Sequence, residues 1–252
     1  MTFTFDERAS DVPLVQTVWR TESAHARTFT SVAVSRWELV VTRRNARTTL
    51  TVRGPETRAT RAPVPADAQF FGIAFNHGAF MPDLPPADLV DGAINLPDAG
   101  RDRFWLHGRA WQLPSFDDAD TFVRRLVRAG VLVHDPVVDQ ALRGRQALRG
   151  RAVAGLSPRS LRRRVLRATG LPPGAIRQID RARQAAALLQ AGAPIVDTVN
   201  DTGYFDQPHL TRALRRFIGH TPAQIRRTDG FADMSLSYKT TEFNRVMHRH
   251  RR

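Results

Sequence analysis

Two stretches of this 252-residue chain carry the same residue types in register, 49 positions apart. "SPRSLRRRVLRATGLPP" runs from Ser157 to Pro173, and "DQPHLTRALRRFIGHTP" runs from Asp206 to Pro222. The shift takes Ser157 to Asp206, Leu161 to Leu210, Arg163 to Arg212 and Val165 to Leu214. It also takes Arg167 to Arg216, Gly170 to Gly219 and Pro173 to Pro222, with no gap. Each copy reads as one helix. A Ser or Asp caps the start, proline is tolerated in the first turn, and glycine closes the end. Leu210, Leu214 and Phe217 recur at i, i+4 and i+7 and form a single buried stripe. A duplication that keeps cap, stripe and stop restricts this half of the chain to two similar helical units.

The opposite face of the second helix carries Gln207, Pro208, Thr211, Arg212 and Arg215. Such a helix docks by one edge and presents hydrogen-bond donors outward. Arginine can bond guanine O6 and N7 through two donors, glutamine can do the same with adenine, and threonine can touch the thymine methyl. A short helical segment and a glycine turn precede each copy: "GRQALRGRAVAG" before the first, "APIVDTVNDTG" before the second. Helix, glycine turn and arginine-bearing helix make a helix-turn-helix. Between the copies, "GAIRQIDRARQAAALLQAG" predicts a long helix with Ile176, Ile179, Ala186 and Leu189 on its apolar face, ending at Gly192.

Charge separates the two halves. Residues 1–135 hold 16 Lys+Arg and 16 Asp+Glu, whereas residues 136–252 hold 22 against 8. The whole excess of +14 therefore lies in the second part. Codon bias toward arginine would act on both parts, so an excess confined to one is the electrostatic footprint of a polyanion-binding domain.

Other classes fall away. The chain has no cysteine, which removes disulfides, thiolate metal sites and cysteine nucleophiles and suits a reducing compartment. No G-x-S-x-G nucleophile elbow occurs. His25, His77, His107 and His134 form no His-x-His cluster, so neither metal nor other cofactor is expected. No apolar run reaches the roughly 20 residues of a membrane helix. "MTFTFDERASDVP" carries acids where a signal peptide would carry cations, and the expected location is the cytoplasm.

The first part reads as β-rich. "FTSVAVSRWELVVTRR", "TTLTVRG" and "QFFGIAFNHGAF" are strand candidates, the last with Phe71, Ile73 and Phe75 on one face. "MPDLPPADL" reads as loop. "PSFDDADTFVRRLVRAG" predicts a helix capped at Ser115 and stopped at Gly130, with Asp117, Asp118 and Asp120 as its solvated acidic start. A second helix starts with Asp135 as cap and Pro136 in its first turn. Phe70, Phe71, Phe75, Trp37, Trp105 and Trp111 read as core, with a ligand pocket as the sharper alternative.

Taken together, the tandem motifs, the long linking helix and the closing "GYFDQPHLTRALRRFIGHTPAQIRR" resemble the DNA-binding domain of the AraC/XylS family of bacterial transcription regulators. The resemblance covers roughly residues 136–227. Val199 and Thr198 depart from the small and aliphatic residues usual in the second motif, and Val165 stands where phenylalanine is common. The fold it implies is two-domain. Residues 1–134 would be a β-rich, barrel-like α+β regulatory domain for an effector or for dimerisation. Residues 135–227 would be an all-α double helix-turn-helix domain, and 228–252 a basic, mobile tail.

The function it implies is sequence-specific regulation of transcription, with two helices entering successive major-groove segments about one turn apart. Carried over by position, Arg159, Arg162, Arg163, Gln207, Pro208, Thr211 and Arg212 read bases. Arg164, Arg167, Arg215, Arg216, Arg226 and Arg227 hold phosphates, which position without specifying. Double-stranded DNA is the partner. RNA polymerase, a small-molecule effector and a second copy of the chain stay open as further partners, and no enzymatic activity or membrane association is expected. The rival is an architectural protein that neutralises any duplex through counterion release.

Overall fold

The computed structural model describes residues 5–143 and 155–227. In chain order the strands begin with β1 (Phe5–Arg8), β2 (Val15–Ser23), β3 (Arg27–Ser31), β4 (Glu38–Arg44) and β5 (Arg47–Arg53). They continue with β6 (Thr60–Val64), β7 (Ala68–Phe75), β8 (Ala79–Phe80), β9 (Ala93–Asn95), β10 (Asp98–Gly100), β11 (Arg103–Leu106) and β12 (Arg109–Gln112). Helix α1 (Ala119–Arg128) precedes β13 (Val133–His134) and α2 (Pro136–Arg143). Then come α3 (Pro158–Thr169), α4 (Pro173–Gln190), α5 (Ile195–Thr202), α6 (Gln207–Phe217) and α7 (Pro222–Arg226). A β-rich N-terminal part is thus followed by a helical C-terminal part, as the sequence predicts.

The described residues divide into two compact units. One gathers residues up to 25, 36–55 and 65–173; the other gathers 26–35, 56–64 and 174 onward.

The first unit is built on an antiparallel six-stranded sheet in the order β1-β2-β7-β4-β5-β9, with β1 and β9 at its edges. Pairing in register sets Val18, Ile73, Leu39 and Val52 side by side on one face. That face forms the core, where Ile73 and Phe75 are fully buried and Phe71 packs at the margin, the alternation read from the sequence. Trp37 stacks on Phe75 at 4.1 Å and donates from Nε1 to the Ala79 carbonyl at 2.6 Å. The apolar side of α1, made of Ala119, Phe122, Val123 and Leu126, closes the same core, with Phe104 and Trp111 from the β10-β11-β12 meander.

Helix α1 starts at Ala119 and not directly after Ser115. Ser115 and Asp118 instead exchange side-chain bonds to each other's backbone N–H, at 2.7 and 3.3 Å, and form the turn that leads into the helix. Asp120 is not a solvated acid. It accepts from Arg8 at 2.6 Å and from Ser10, tying the helix to the first strand. At Asp135 the sequence reading holds: its Oδ1 accepts from the N–H groups of Val137 and Val138 at the start of α2.

Helix α3 also belongs to this unit. It packs against α2, β8 and a 3₁₀ turn at Pro86–Leu89. Gly170, at φ 72°, ends α3 against that turn, where an added methyl would come within 2.7 Å of the Pro86 carbonyl oxygen.

The second unit holds α4 to α7 together with a two-stranded antiparallel sheet of β3 and β6, which pair only with each other although β4 and β5 lie between them in sequence. Ile176, Ile179, Ala182, Ala185, Ala186 and Leu189 of α4 are buried, as are Leu210, Leu214 and Phe217 of α6.

Candidate nucleic-acid interface

The two arginine-bearing helices share the construction of their ends. Ser157 caps α3 by accepting from the Ser160 N–H at 3.2 Å, and Asp206 caps α6 by accepting from the His209 N–H at 2.6 Å. A proline occupies the first turn of each. Leu161 and Val165 are buried in α3, and Leu210 and Leu214 in α6. Gly170 and Gly219 both take left-handed backbone, at φ 72° and 83°. The 49-residue register thus equates two helices of the same construction.

Their outer faces differ. On α3, Arg159, Arg162, Arg163, Arg164 and Arg167 are all exposed. At 100° per residue, Arg159, Arg163 and Arg167 lie opposite the buried stripe, while Arg162 and Arg164 lie on its flanks. The flank position explains Arg164, whose Nε donates to Asp135 Oδ2 at 2.8 Å. The Asp135 carboxylate, through that hydrogen bond and its charge, raises the Arg164 pKa further. Arg167 lies over the Phe80 ring at 5.7 Å.

On α6, Gln207, Pro208, Arg212, Arg215 and Arg216 are exposed and Thr211 is half-buried. Arg212 points most directly away from the buried stripe. Arg226 and Arg227, at the end of α7, are exposed as well.

The second motif is complete in the described residues. Helix α5 ends at Gly203, φ 68°, whose carbonyl accepts from Arg181 of α4 at 3.2 Å. Arg181 also covers the Tyr204 ring at 4.2 Å, and burial raises the pKa of that phenol although the Arg181 charge opposes the shift. Tyr204 meets His209 edge-on at 5.0 Å, so the histidine is a packing residue of the turn. Thr221 and Gln224 close a capping box at the head of α7. In the first motif, the segment read as its leading helix, residues 144–155, lies almost wholly outside the described residues, as does the tail from Thr228.

Two features escaped the sequence reading. Phe205, in the turn before α6, is 90 % exposed beside Gln207 and Pro208. No periodicity marks a single turn residue. More consequential is the two-stranded β3–β6 sheet. The N–H of Ala33 donates to the Phe217 carbonyl at 2.7 Å, and the N–H of Ala59 donates to the Arg216 carbonyl at 2.8 Å. The last carbonyls of a helix have no partner inside it. Here residues far upstream in the chain supply donors to two of them. The 8 % exposed Arg183 of α4 donates to the Ala33 carbonyl at 3.3 Å, and Ser35 bonds Asp180 at 3.2 Å. Backbone donors leave no signature in residue type, so only the folded chain discloses this cap.

Of the aromatic residues considered for a pocket, Trp37, Phe75 and Trp111 are core, and Trp105 is half exposed. Phe70 and Phe71 line a half-open cavity of about 500 Å³ in the first unit, with Arg20, Arg43 and Phe116 among its walls. No helix among the described residues is long and apolar enough to cross a membrane.

A family model described as a helix-turn-helix domain matches residues 152–228. No curated protein and no solved structure matches the chain. The matched span takes in both arginine-bearing helices, the helix between them and the complete second motif. The C-terminal region of this chain is therefore a helix-turn-helix domain, which supports the AraC/XylS resemblance and a DNA-binding role.

Proposed function

We propose that this regulator reads a specific operator with both arginine-bearing helices, α3 and α6, each in its own major-groove segment. The observation that carries the reading is the matched construction of the two helices. Cap, buried stripe and terminal glycine recur at a shift of 49, and each helix turns arginines outward. A merely structural duplicate would need the stripe but not the arginine face.

In this reading Arg159, Arg162 and Arg163 of α3 contact bases, as do Gln207, Pro208, Thr211 and Arg212 of α6. Pro208 offers only apolar contact, and half-buried Thr211 offers its methyl or hydroxyl from the edge of the face. Arg167, Arg215, Arg216, Arg226 and Arg227 hold phosphates. Arg164 spends its Nε on Asp135, which leaves its two terminal amino groups for a phosphate oxygen. The base-reading helices lie in residues 135–227, and the regulatory function is assigned to 1–134. A small-molecule effector has a place to bind in the cavity lined by Phe70 and Phe71; RNA polymerase and a second copy of the chain are the other partners this role implies.

Selection of bound sites from random duplexes tests the proposal. Two conserved half-motifs about 10 bp apart are expected, and inserting about 5 bp between them should bring binding close to the non-specific level. One half-motif alone would leave one helix reading. No motif at all would establish the architectural alternative.

A further inference from the structure

Two arginines from the N-terminal half lie at the foot of α6. Arg58 immediately precedes Ala59, whose N–H bonds the Arg216 carbonyl. Arg61 pairs across the sheet with Thr30, which places Arg61 and Thr30 on one face of β3–β6. That face is the one against the end of α6, because a methyl at Gly219 would meet Thr30 Cγ2 at 2.9 Å and Ala59 Cβ at 3.2 Å. Arg58 and Arg61 are both exposed, and among the described residues neither is paired with a carboxylate. Glu56, the one acid of segments 26–35 and 56–64, accepts from the Ser31 hydroxyl at 2.7 Å.

We infer that Arg58 and Arg61 are DNA-backbone contacts, so that the β3–β6 sheet extends the basic surface begun by Arg215 and Arg216. The occupant is the phosphate chain beside the groove that α6 enters, and the inference rests on the proposal that α6 reads DNA. Three things argue for DNA over bare solvation. The surface is continuous through a main-chain hydrogen bond with the helix that carries Arg215 and Arg216. The charges of Arg58 and Arg61 are complementary to phosphate and meet no carboxylate among the described residues. The cap holds Arg58 at a fixed place relative to Arg216, which lowers the entropy cost of using it. The competing role is electrostatic support of the helix, since cations near a helix C-terminus interact favourably with its dipole. That role concerns folding and not DNA.

The test uses the full chain with R58Q/R61Q, measured on an operator and on a random duplex across a salt series. Affinity should fall by a similar factor on both, roughly several-fold to tenfold at moderate salt, and the slope of log K against log salt should become shallower by about 1.8 for two lost phosphate contacts. The melting temperature should stay at the wild-type value. A lowered melting temperature with an unchanged salt slope would assign the arginines to the helix dipole and overturn the inference. So would wild-type affinity and slope. Arg212→Ala, run alongside, separates the two failures. If it loses operator affinity while R58Q/R61Q does not, α6 reads DNA and only the Arg58–Arg61 contact is wrong. If neither variant changes binding, both readings fall.

Discussion

The backbone N–H of Ala33 and the carbonyl oxygen of Phe217 stand 2.7 Å apart, so a residue of the β-rich half closes the helix that presents Arg212. Together with the Ala59–Arg216 bond it gives two of the last carbonyls of α6 a partner from outside the helix. Charge and motif placed every DNA-binding element downstream of Asp135. The cap makes the stability of the second motif depend on residues 26–35 and 56–64.

A fragment that begins at Asp135 should therefore be less stable than the same helices in the whole chain. Two lost hydrogen bonds at about 0.5–1.5 kcal/mol each, with water as the replacement, give about 1–3 kcal/mol. Urea titration followed by helical circular dichroism measures this. Fusing segments 26–35 and 56–64 back onto the fragment should restore part of the loss. Equal midpoints for fragment and full chain would show that the cap is dispensable.

Gly219 is the point where α6, Thr30 and Ala59 meet. Its φ of 83° strains any L side chain, and a methyl would intrude on both neighbours. Gly219→Ala should cost more than the roughly 1 kcal/mol typical of left-handed backbone alone. Gly203→Ala has a similar φ of 68° and nothing within 4 Å, so it reports the backbone cost by itself. Thermal melts of the two variants should differ, with Gly219→Ala the lower; a reversed order would contradict the packing of Thr30 and Ala59 at this corner.

Readout and phosphate roles separate by their dependence on sequence. Arg212→Ala should cost about 1–3 kcal/mol on the operator and relax preference at one position. Arg216→Ala should weaken every duplex by a similar factor. Equal losses on operator and random DNA for both variants would remove Arg212 from base reading.

The N-terminal unit should carry an acid-sensitive contact at Asp120. Burial pushes the pKa of this carboxyl up, but the bonds from Ser10 and Arg8 and the charges of Arg8 and Arg124 outweigh that, and the net shift is downward. A depressed folded pKa means that the folded chain binds fewer protons here than the unfolded one. The contact therefore stabilises fully above about pH 4, the ordinary carboxylate value, and fades as pH falls through the lower folded value. Asp120→Asn should lower stability by about 1–2 kcal/mol near neutrality, with the gap to wild type closing toward pH 3. A gap independent of pH would mean that packing, and not the ion pair, is what the variant loses.

The sequence by itself determined the elements whose signals are local. The Ser157 and Asp206 caps, the leucine stripes, the glycine ends and the alternation of Phe71, Ile73 and Phe75 each depend on a residue type at a fixed spacing, because helix and strand periods alone decide which side chains share a face. The arginine faces of α3 and α6 were legible for the same reason. Tertiary structure decided the rest. Asp120 left its expected solvated place because Arg8, 112 positions away, lies within hydrogen-bond distance of it. Arg164 turned to Asp135 because its flank of α3 faces the start of α2. The assignment of β3 and β6 to the helical unit could not be read from "RTFTS" and "TRAPV", the second of which reads as a proline break and not as a strand. Their role comes from the N–H groups of Ala33 and Ala59, and a backbone donor is the same in every residue but proline. Where it finds its acceptor depends on the path of the folded chain, and residue type does not encode that path locally.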